Sequence, residues 1–146
     1  MYLLDTTHCI WLLNAKPNFE QKLDKLDSDL LSTCIIVCGE LLYGAIISEQ
    51  SNENLRDVYE FIKNLKIYEL DINTAKINAI LKASILNHFG PKEKNKRRKT
   101  KIESLGFKEN DIWIASVAIQ HKLVLVSADS DLLRLNGIEG LQVENW

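Results

Sequence analysis

The stretch MYLLDTTHCIWLLN, residues 1–14, opens with a short apolar run, YLL, and continues into a pattern typical of a helix, with Asp5 where the two meet. Beyond it, short β-rich apolar runs alternate with longer segments of helical periodicity. Strands separated by helices lie parallel, because right-handed crossovers place the helices on both faces of the sheet. The sequence therefore predicts an α/β fold, a three-layer α/β/α sandwich around a mainly parallel sheet of four to five strands.

The individual elements follow from periodicity and from capping signals. Strands are expected over residues 2–4, 30–32, 67–70 and 123–127, and helices over residues 7–14, 18–27, 35–49, 52–64, 73–88 and 111–120. Thr33 is expected to cap the third of these helices and Asn110 the last. Gly90-Pro91 is expected to end the helix over residues 73–88.

Composition favours one globular domain spanning residues 1–146, since 46% of the residues are hydrophobic and 26% are charged. Cys9, Cys34 and Cys38 lie in apolar runs and are expected to be buried free thiols, as in a cytoplasmic protein. No basic leader opens the sequence, and its longest uncharged stretch, residues 30–39, is about half of the roughly 20 residues that a membrane helix needs. A cytoplasmic protein without a membrane anchor is expected.

Charge is unevenly distributed along the chain. Residues 92–101, KEKNKRRKTK, hold seven basic residues and one Glu, a local charge of +6, so the remainder carries −8 of the total of −2. This segment lies in a basic loop predicted at about residues 90–109. Such loops are commonly solvated, mobile tips. The alternative is a contact with phosphate groups.

Several acidic residues stand in apolar surroundings. Asp5 is the only Asp, Glu, Lys or Arg within residues 1–15, and Glu40 is the only one between Asp29 and Glu49. Keeping an ionised carboxylate among apolar neighbours is costly unless a cation or hydrogen-bond donors compensate. A structural role is the alternative for each, with Asp5 capping a helix and Glu40 on an exposed helical stripe.

Three further acids follow late in the chain. Asp111 stands alone in NDIWIASVAIQ, while Asp129 and Asp131 come directly after the predicted strand over residues 123–127. A first-turn Asp stabilises a helix, and a turn often carries Asp for conformational reasons. In a parallel sheet, however, Asp5 and Asp129 emerge at the same edge, where ligands bind in open α/β folds. The helices that carry Glu40 and Asp111 are expected to converge there.

Carboxylates gathered in one place repel one another, and a divalent cation is the usual remedy. Oxygen ligands suit Mg²⁺ or Mn²⁺ better than zinc, and His8, His88 and His121 share no ligand spacing, so packing or surface roles are expected for them. A carboxylate-held ion can orient and deprotonate water while neutralising a phosphodiester's charge. Hydrolysis of a nucleic-acid backbone is therefore the expected chemistry.

Two other enzyme classes use an Asp after the first strand. Phosphatases of that kind carry DxDxT, whereas Thr7 occupies the position of the second Asp here. A receiver domain has an acidic pair before its phosphorylated Asp and a Lys at a late strand end, and the sequence offers neither clearly. A third alternative is a non-catalytic scaffold that binds RNA or protein.

Four motifs, LLDTT, ELLYGA, NDIWIASVA and VSADSDLLRL, resemble in order and spacing those of PIN-domain ribonucleases, particularly the VapC-like toxins of bacterial toxin–antitoxin pairs. The resemblance spans almost the whole chain. It implies a PIN-like α/β/α fold, Mg²⁺- or Mn²⁺-dependent endoribonuclease activity and a homodimer. It also implies a small antitoxin whose tail occupies the active-site groove.

The resemblance also assigns residues. The family's acidic quartet is matched by Asp5, Glu40, Asp111 and Asp129, and its supporting hydroxyls by Thr6 and Ser127. Asp131 is a further candidate ligand, or the residue that fills the fourth acidic role. The stretch from Gly90 to Glu109 is longer and more basic than the family's usual short connector, so its role is not inherited. An RNA-backbone contact is the hypothesis for Lys96, Arg97, Arg98 and Lys99.

Overall fold

A computed structural model describes residues 1–15 and 30–146, so the helix predicted over residues 18–27 lies outside the described residues. Five strands are present in the described part: β1 (Tyr2–Leu4), β2 (Leu31–Cys34), β3 (Lys66–Tyr68), β4 (Val124–Val126) and β5 (Gln142–Glu144). The α-helices are α1 (Thr6–Leu13), α2 (Ile35–Ile46), α3 (Ser51–Lys63), α4 (Ile72–Phe89), α5 (Lys94–Lys99), α6 (Glu109–His121) and α7 (Ser130–Arg134). Two 3₁₀ turns cover Ile102–Leu105 and Ile138–Gly140.

The strands form one sheet in the order β3-β2-β1-β4-β5, and every pairing is parallel. The fold class predicted from the sequence, a parallel α/β/α sandwich, is confirmed. β1 occupies the centre, with Leu4 aligned to Val126 of β4 on one side and Tyr2 aligned to Leu31 of β2 on the other. The chain thus turns in opposite directions from the centre, which is where open α/β sheets bind ligands. Asp5 follows β1 at that point.

The core is apolar on both faces of the central strands, and Leu3, Leu4, Leu125 and Val126 have no exposed surface. β2 carries two buried hydroxyl residues between β1 and β3. The Thr33 hydroxyl donates to the Leu4 carbonyl at 2.9 Å. The expectation that Thr33 caps a helix is therefore wrong, because its hydroxyl is used between strands; α2 begins after Cys34 instead.

α4 and α6 pack against each other in antiparallel directions. At one end of the pair the Thr74 hydroxyl donates to the side chain of Gln120, and at the other Lys82 contacts Glu109. The N-terminus of α4 therefore lies beside the C-terminus of α6, whereas the start of α6 faces the carboxyl edge of the sheet.

The basic segment is not irregular throughout. Residues 94–99 form α5 because KNKRRK consists almost entirely of good helix formers. The chain after α5 is anchored by Phe107, which is 1% exposed and lies 5.2 Å from Phe89 between ring centroids. Of the residues of α5 proposed to contact RNA, Lys96, Arg98 and Lys99 are exposed and Arg97 is half-buried. The basic side chains are thus presented on a short helix, and the chain that follows it returns to the core at Phe107.

Cys9, Cys34 and Cys38 are buried free thiols, as expected from the sequence. Across residues 1–15 and 30–146, none of the helices combines the length and the apolar character that a membrane crossing requires.

Candidate active site

Asp5 is the N-cap of α1 and is only 6% exposed. Its carboxylate oxygen Oδ1 accepts two hydrogen bonds from His8, one from the backbone N–H and one from ring Nδ1, both at 2.8 Å. An ionised carboxylate only accepts, so the Nδ1 position carries a proton in this contact. The capping role considered from the sequence is real, and it leaves Oδ2 without either of these bonds.

His8 is a site residue that the sequence-based reasoning placed in a packing or surface role. It is completely buried, and its ring lies 4.6 Å from the Trp11 ring between centroids. A His three residues after a strand-ending Asp was the available signal, since an N-cap side chain and the residue three positions later are neighbours. The ring orients Asp5 as well as filling the core.

Glu40 lies half-buried on α2 and is held from two sides. Its Oε2 accepts a hydrogen bond from the Thr6 hydroxyl, and its Oε1 accepts one from the Asn110 amide at 2.7 Å. Thr6 adjoins Asp5, and Asn110 adjoins Asp111. Glu40 therefore joins the two elements that carry those acids.

Asn110 does not cap α6 as predicted. The helix begins two residues before its predicted start, at Glu109, with Lys108 as N-cap, so Asn110 is inside the first turn. Its amide reaches across to Glu40 instead of capping its own helix.

The pKa of Asp111 depends on its burial and on the charged residues around it. Desolvation raises the pKa of its carboxyl from an ordinary value of 3.8 to about 6, Lys108 opposes the rise, and the charges of Asp129, Glu40 and Asp5 add to it. These four residues, Asp5, Glu40, Asp111 and Asp129, form what we term the acid cluster. They come from four separate elements and lie close enough to repel one another.

Asp129 is the N-cap of α7, and its Oδ1 accepts a hydrogen bond from the Asp131 backbone N–H at 2.7 Å. Its other oxygen, Oδ2, lies 3.6 Å from the Lys108 ammonium nitrogen. The Asp129 backbone N–H donates to the buried Ser127 hydroxyl at 3.0 Å. Ser127 therefore supports the turn that carries Asp129.

Asp131 is occupied differently from the acid cluster. Its Oδ1 accepts a hydrogen bond from Arg134 at 2.7 Å, and Arg134 also donates to the Leu105 carbonyl at 3.3 Å. The guanidinium lies 4.6 Å from the Phe89 ring centroid and 4.7 Å from that of Phe107. Asp131 thus takes part in fastening α7 to the segment that leads into α6.

Neighbouring protein groups engage most of the carboxylates of the acid cluster. Within the described parts of the chain, no group of three His, Cys, Asp or Glu side chains is placed to hold a metal ion as it stands. Asp5 is held by His8, Glu40 by Thr6 and Asn110, and Asp129 partly by Lys108. The chemistry nevertheless suits a hard cation, because all donors are carboxylate oxygens. Burial raises the pKa of Asp111 most, and the charges of the other three acids add to the rise.

Residues 2–138 match the model of the PIN domain family. The chain belongs to the PIN domain family. This PIN domain is 29% identical over 147 residues to "Ribonuclease VapC2" of Haemophilus influenzae, covering 99% of this chain and 97% of that relative. It is 26% identical over 145 residues to the "tRNA(fMet)-specific endonuclease VapC" of Salmonella typhimurium, with coverage of 99% and 97%. The family resemblance seen in the sequence is confirmed.

Solved structures of PIN-domain complexes share its architecture. DNA-bound VapBC from Salmonella typhimurium is similar at a TM-score of 0.78 and 25% identity, covering 99% of this chain and 97% of that one. VapBC2 from Rickettsia felis, bound to a DNA fragment from its promoter, is similar at a TM-score of 0.77 and 23% identity, covering 99% and 98%.

Proposed function

We propose that this PIN-domain protein is a Mg²⁺- or Mn²⁺-dependent endoribonuclease that hydrolyses RNA phosphodiester bonds. The observation that carries the proposal is the convergence of the acids: Glu40 bonds to Thr6 beside Asp5 and to Asn110 beside Asp111, and the raised pKa of Asp111, due mainly to burial and in part to the other acids, agrees with it. Carboxylates drawn from four elements toward the carboxyl edge of the sheet suit a hard divalent cation. Relatives named as a ribonuclease and as a tRNA endonuclease support RNA as the substrate.

The acid cluster would supply the ligands, with Asp5, Glu40, Asp111 and Asp129 as the catalytic acids. The ion would activate a water molecule and neutralise charge that develops on the phosphodiester. Asp131 is the weaker candidate as a ligand, because Arg134 already neutralises its charge.

Residues around the cluster hold the carboxylates in place. The His8 ring fixes the rotamer of Asp5, and Thr6 and Asn110 together fix Glu40 from opposite sides. Ser127 holds the backbone from which Asp129 projects. Surrounding hydrogen bonds of this kind orient carboxylate ligands and tune their affinity for an ion.

RNA binding is proposed for the basic helix α5. Lys96, Arg98 and Lys99 are exposed there and suit contacts with phosphates, with Arg97 beside them. Charge reversal at all four positions is expected to weaken RNA binding and reduce its salt dependence. Unchanged affinity with an unchanged salt slope would exclude this role.

A protein partner is proposed on other grounds. α2 and its end expose large apolar side chains that include Tyr43, 65% exposed, Ile46, 58%, and Ile47, 64%. Exposed apolar surface of this kind is typical of protein–protein contacts. Together with the VapC relatives and the VapBC likeness, it supports a cognate antitoxin, a homodimer and a cytoplasmic toxin role.

The test is a fluorogenic RNA incubated with the purified protein in Mg²⁺, Mn²⁺ or EDTA. Cleavage is expected with either ion, and it should vanish in EDTA and in Asp5→Asn. Glu49→Gln is the matched control, because it also removes one negative charge but lies on an exposed site outside the cluster. Cleavage that survives both EDTA and Asp5→Asn would contradict the proposal, and a protein that binds RNA without cutting it would be a non-catalytic PIN module.

A further inference from the structure

Lys108 is a basic side chain that the structure brings to the acid cluster. Its ammonium nitrogen lies 3.6 Å from Oδ2 of Asp129, and its charge also acts on Asp111. Sequence reasoning gave this residue no role. Its position just before α6 places it between the basic segment and the acids.

The local fold does not account for a lysine here. Lys108 is the N-cap of α6 and makes no side-chain capping hydrogen bond. A positive charge at a helix N-terminus is unfavourable, since the helix dipole is positive at that end. Ser, Thr, Asp or Asn would stabilise the helix better. The positive charge of Lys108 therefore interacts favourably with the acids and unfavourably with the helix dipole.

The contact is also one that is easily broken. The Lys108 side chain is 73% exposed, and that of Asp129 is 32% exposed. An exposed pair at a separation longer than a hydrogen bond contributes little to stability. The flexible four-carbon stem of lysine allows the ammonium to turn elsewhere without moving the backbone.

We propose that Lys108 is a positioning residue that balances the charge of Asp129 until a divalent ion binds, and that it then turns to a phosphate of the RNA. The inference rests on the proposed function. It predicts two effects of opposite sign when the charge is removed. Metal binding improves, because the ion no longer competes with a tethered cation, whereas RNA capture weakens.

The first arm measures metal binding without RNA. Mn²⁺ is titrated into the wild type and Lys108→Met, and binding is followed by calorimetry and by the electron paramagnetic resonance signal of free Mn²⁺. Loss of one exposed ion pair is expected to tighten Mn²⁺ binding about two- to fivefold. Equal or weaker binding by Lys108→Met would overturn the inference.

The second arm measures cleavage at saturating Mn²⁺ over a range of KCl concentrations. Lys108→Met is expected to raise KM with little change in kcat. The slope of log(kcat/KM) against log[KCl] should become shallower by about 0.7, the value for one phosphate contact on a single strand. An unchanged slope would overturn the inference, and Lys108→Arg should restore it.

Lys76→Met is the matched control. Lys76 is exposed near the start of α4, which lies beside the far end of α6 from Lys108. Its removal should change neither measurement. If the wild type neither binds Mn²⁺ nor cleaves RNA, the proposed function is wrong. If the wild type does both, and Lys108→Met has the same Mn²⁺ affinity and the same salt slope, only the inference about Lys108 is wrong.

Discussion

Asp111→Asn is expected to make the metal-free protein more stable while abolishing RNA cleavage. Asn has nearly the same shape as Asp but carries no charge. It therefore removes both the cost of burying the carboxylate and its repulsion by Asp129, Glu40 and Asp5. A cluster that keeps these acids together costs stability when no cation is bound, so loss of one acid should stabilise the fold.

The size of the expected gain in stability follows from the pKa of Asp111. A rise from 3.8 to about 6 corresponds to a ceiling of about 3 kcal/mol, at about 1.4 kcal/mol for each pKa unit. Because Asp111 is only half-buried, solvent screening reduces the expected gain to about 1–2 kcal/mol. For a chain of this length that gain raises Tm by about 3–6 °C.

The direction of the pKa shift of Asp111 determines how the stability gain changes with pH. A raised folded-state pKa means that the folded protein binds more protons than the unfolded chain between pH 3.8 and about 6. Ionised Asp111 therefore costs stability above pH 6, and the cost disappears as pH falls toward 3.8. The advantage of Asp111→Asn should be complete at pH 7.5 and about half as large at pH 5.

The assay is urea unfolding in EDTA at both pH values, with Glu49→Gln as the control. The control should stay within about 0.5 kcal/mol of the wild type, as is usual for exposed surface substitutions. Mg²⁺ should then raise the unfolding midpoint of the wild type more than that of Asp111→Asn. A variant that is less stable at pH 7.5, or whose gain is the same at pH 5, would refute the reasoning.

Three further substitutions test the surroundings of the site. Asn110→Ala removes a donor to Glu40 and should lower kcat/KM about 10- to 100-fold; an unchanged rate would mean that this hydrogen bond does not orient the acid. His8→Leu removes the ring donor to Asp5 and should weaken Mn²⁺ binding by a similar factor, measured by calorimetry, with circular dichroism confirming a retained fold. Arg134→Met removes the ion pair with Asp131 and the contacts with the Phe89 and Phe107 rings, and it should lower the free energy of unfolding in urea by about 1–2 kcal/mol. A decrease of less than about 0.5 kcal/mol would show that these contacts do not stabilise the fold.

The α/β architecture was predictable because alternating strands and helices allow few arrangements. Local details were predicted less well wherever a polar side chain had a distant partner. Thr33 and Asn110 have the chemistry of helix caps, yet one bonds a neighbouring strand and the other bonds Glu40. The basic segment was expected to be a loop, but its run of helix-forming residues was enough for the short helix α5.

The candidate site was predictable as a set of positions but not as a set of contacts. Acids that follow strands can be recognised in the sequence, because the carboxyl ends of parallel strands lie at one edge of the sheet. Acids isolated in apolar runs can be recognised because their surroundings do not explain them. Asn110 was not recognised as a partner of Glu40, because the two residues are far apart in sequence, whereas Thr6 was assigned a supporting role through the family resemblance. His8 was missed because a buried histidine usually packs. Lys108 was missed because a single lysine between Phe107 and Glu109 gives no sequence signal of a distant acidic partner.

The central position of β1 has a consequence for synthesis. One of its two neighbours in the sheet is β4, which is synthesised much later. β1 is therefore flanked on both sides only after Val124, the partner of Tyr2, has emerged from the ribosome. Asp129 is made later still. A nascent or prematurely terminated chain that ends before β4 therefore lacks one flank of the central strand and also Asp129, so the acid cluster is complete only after that point is passed.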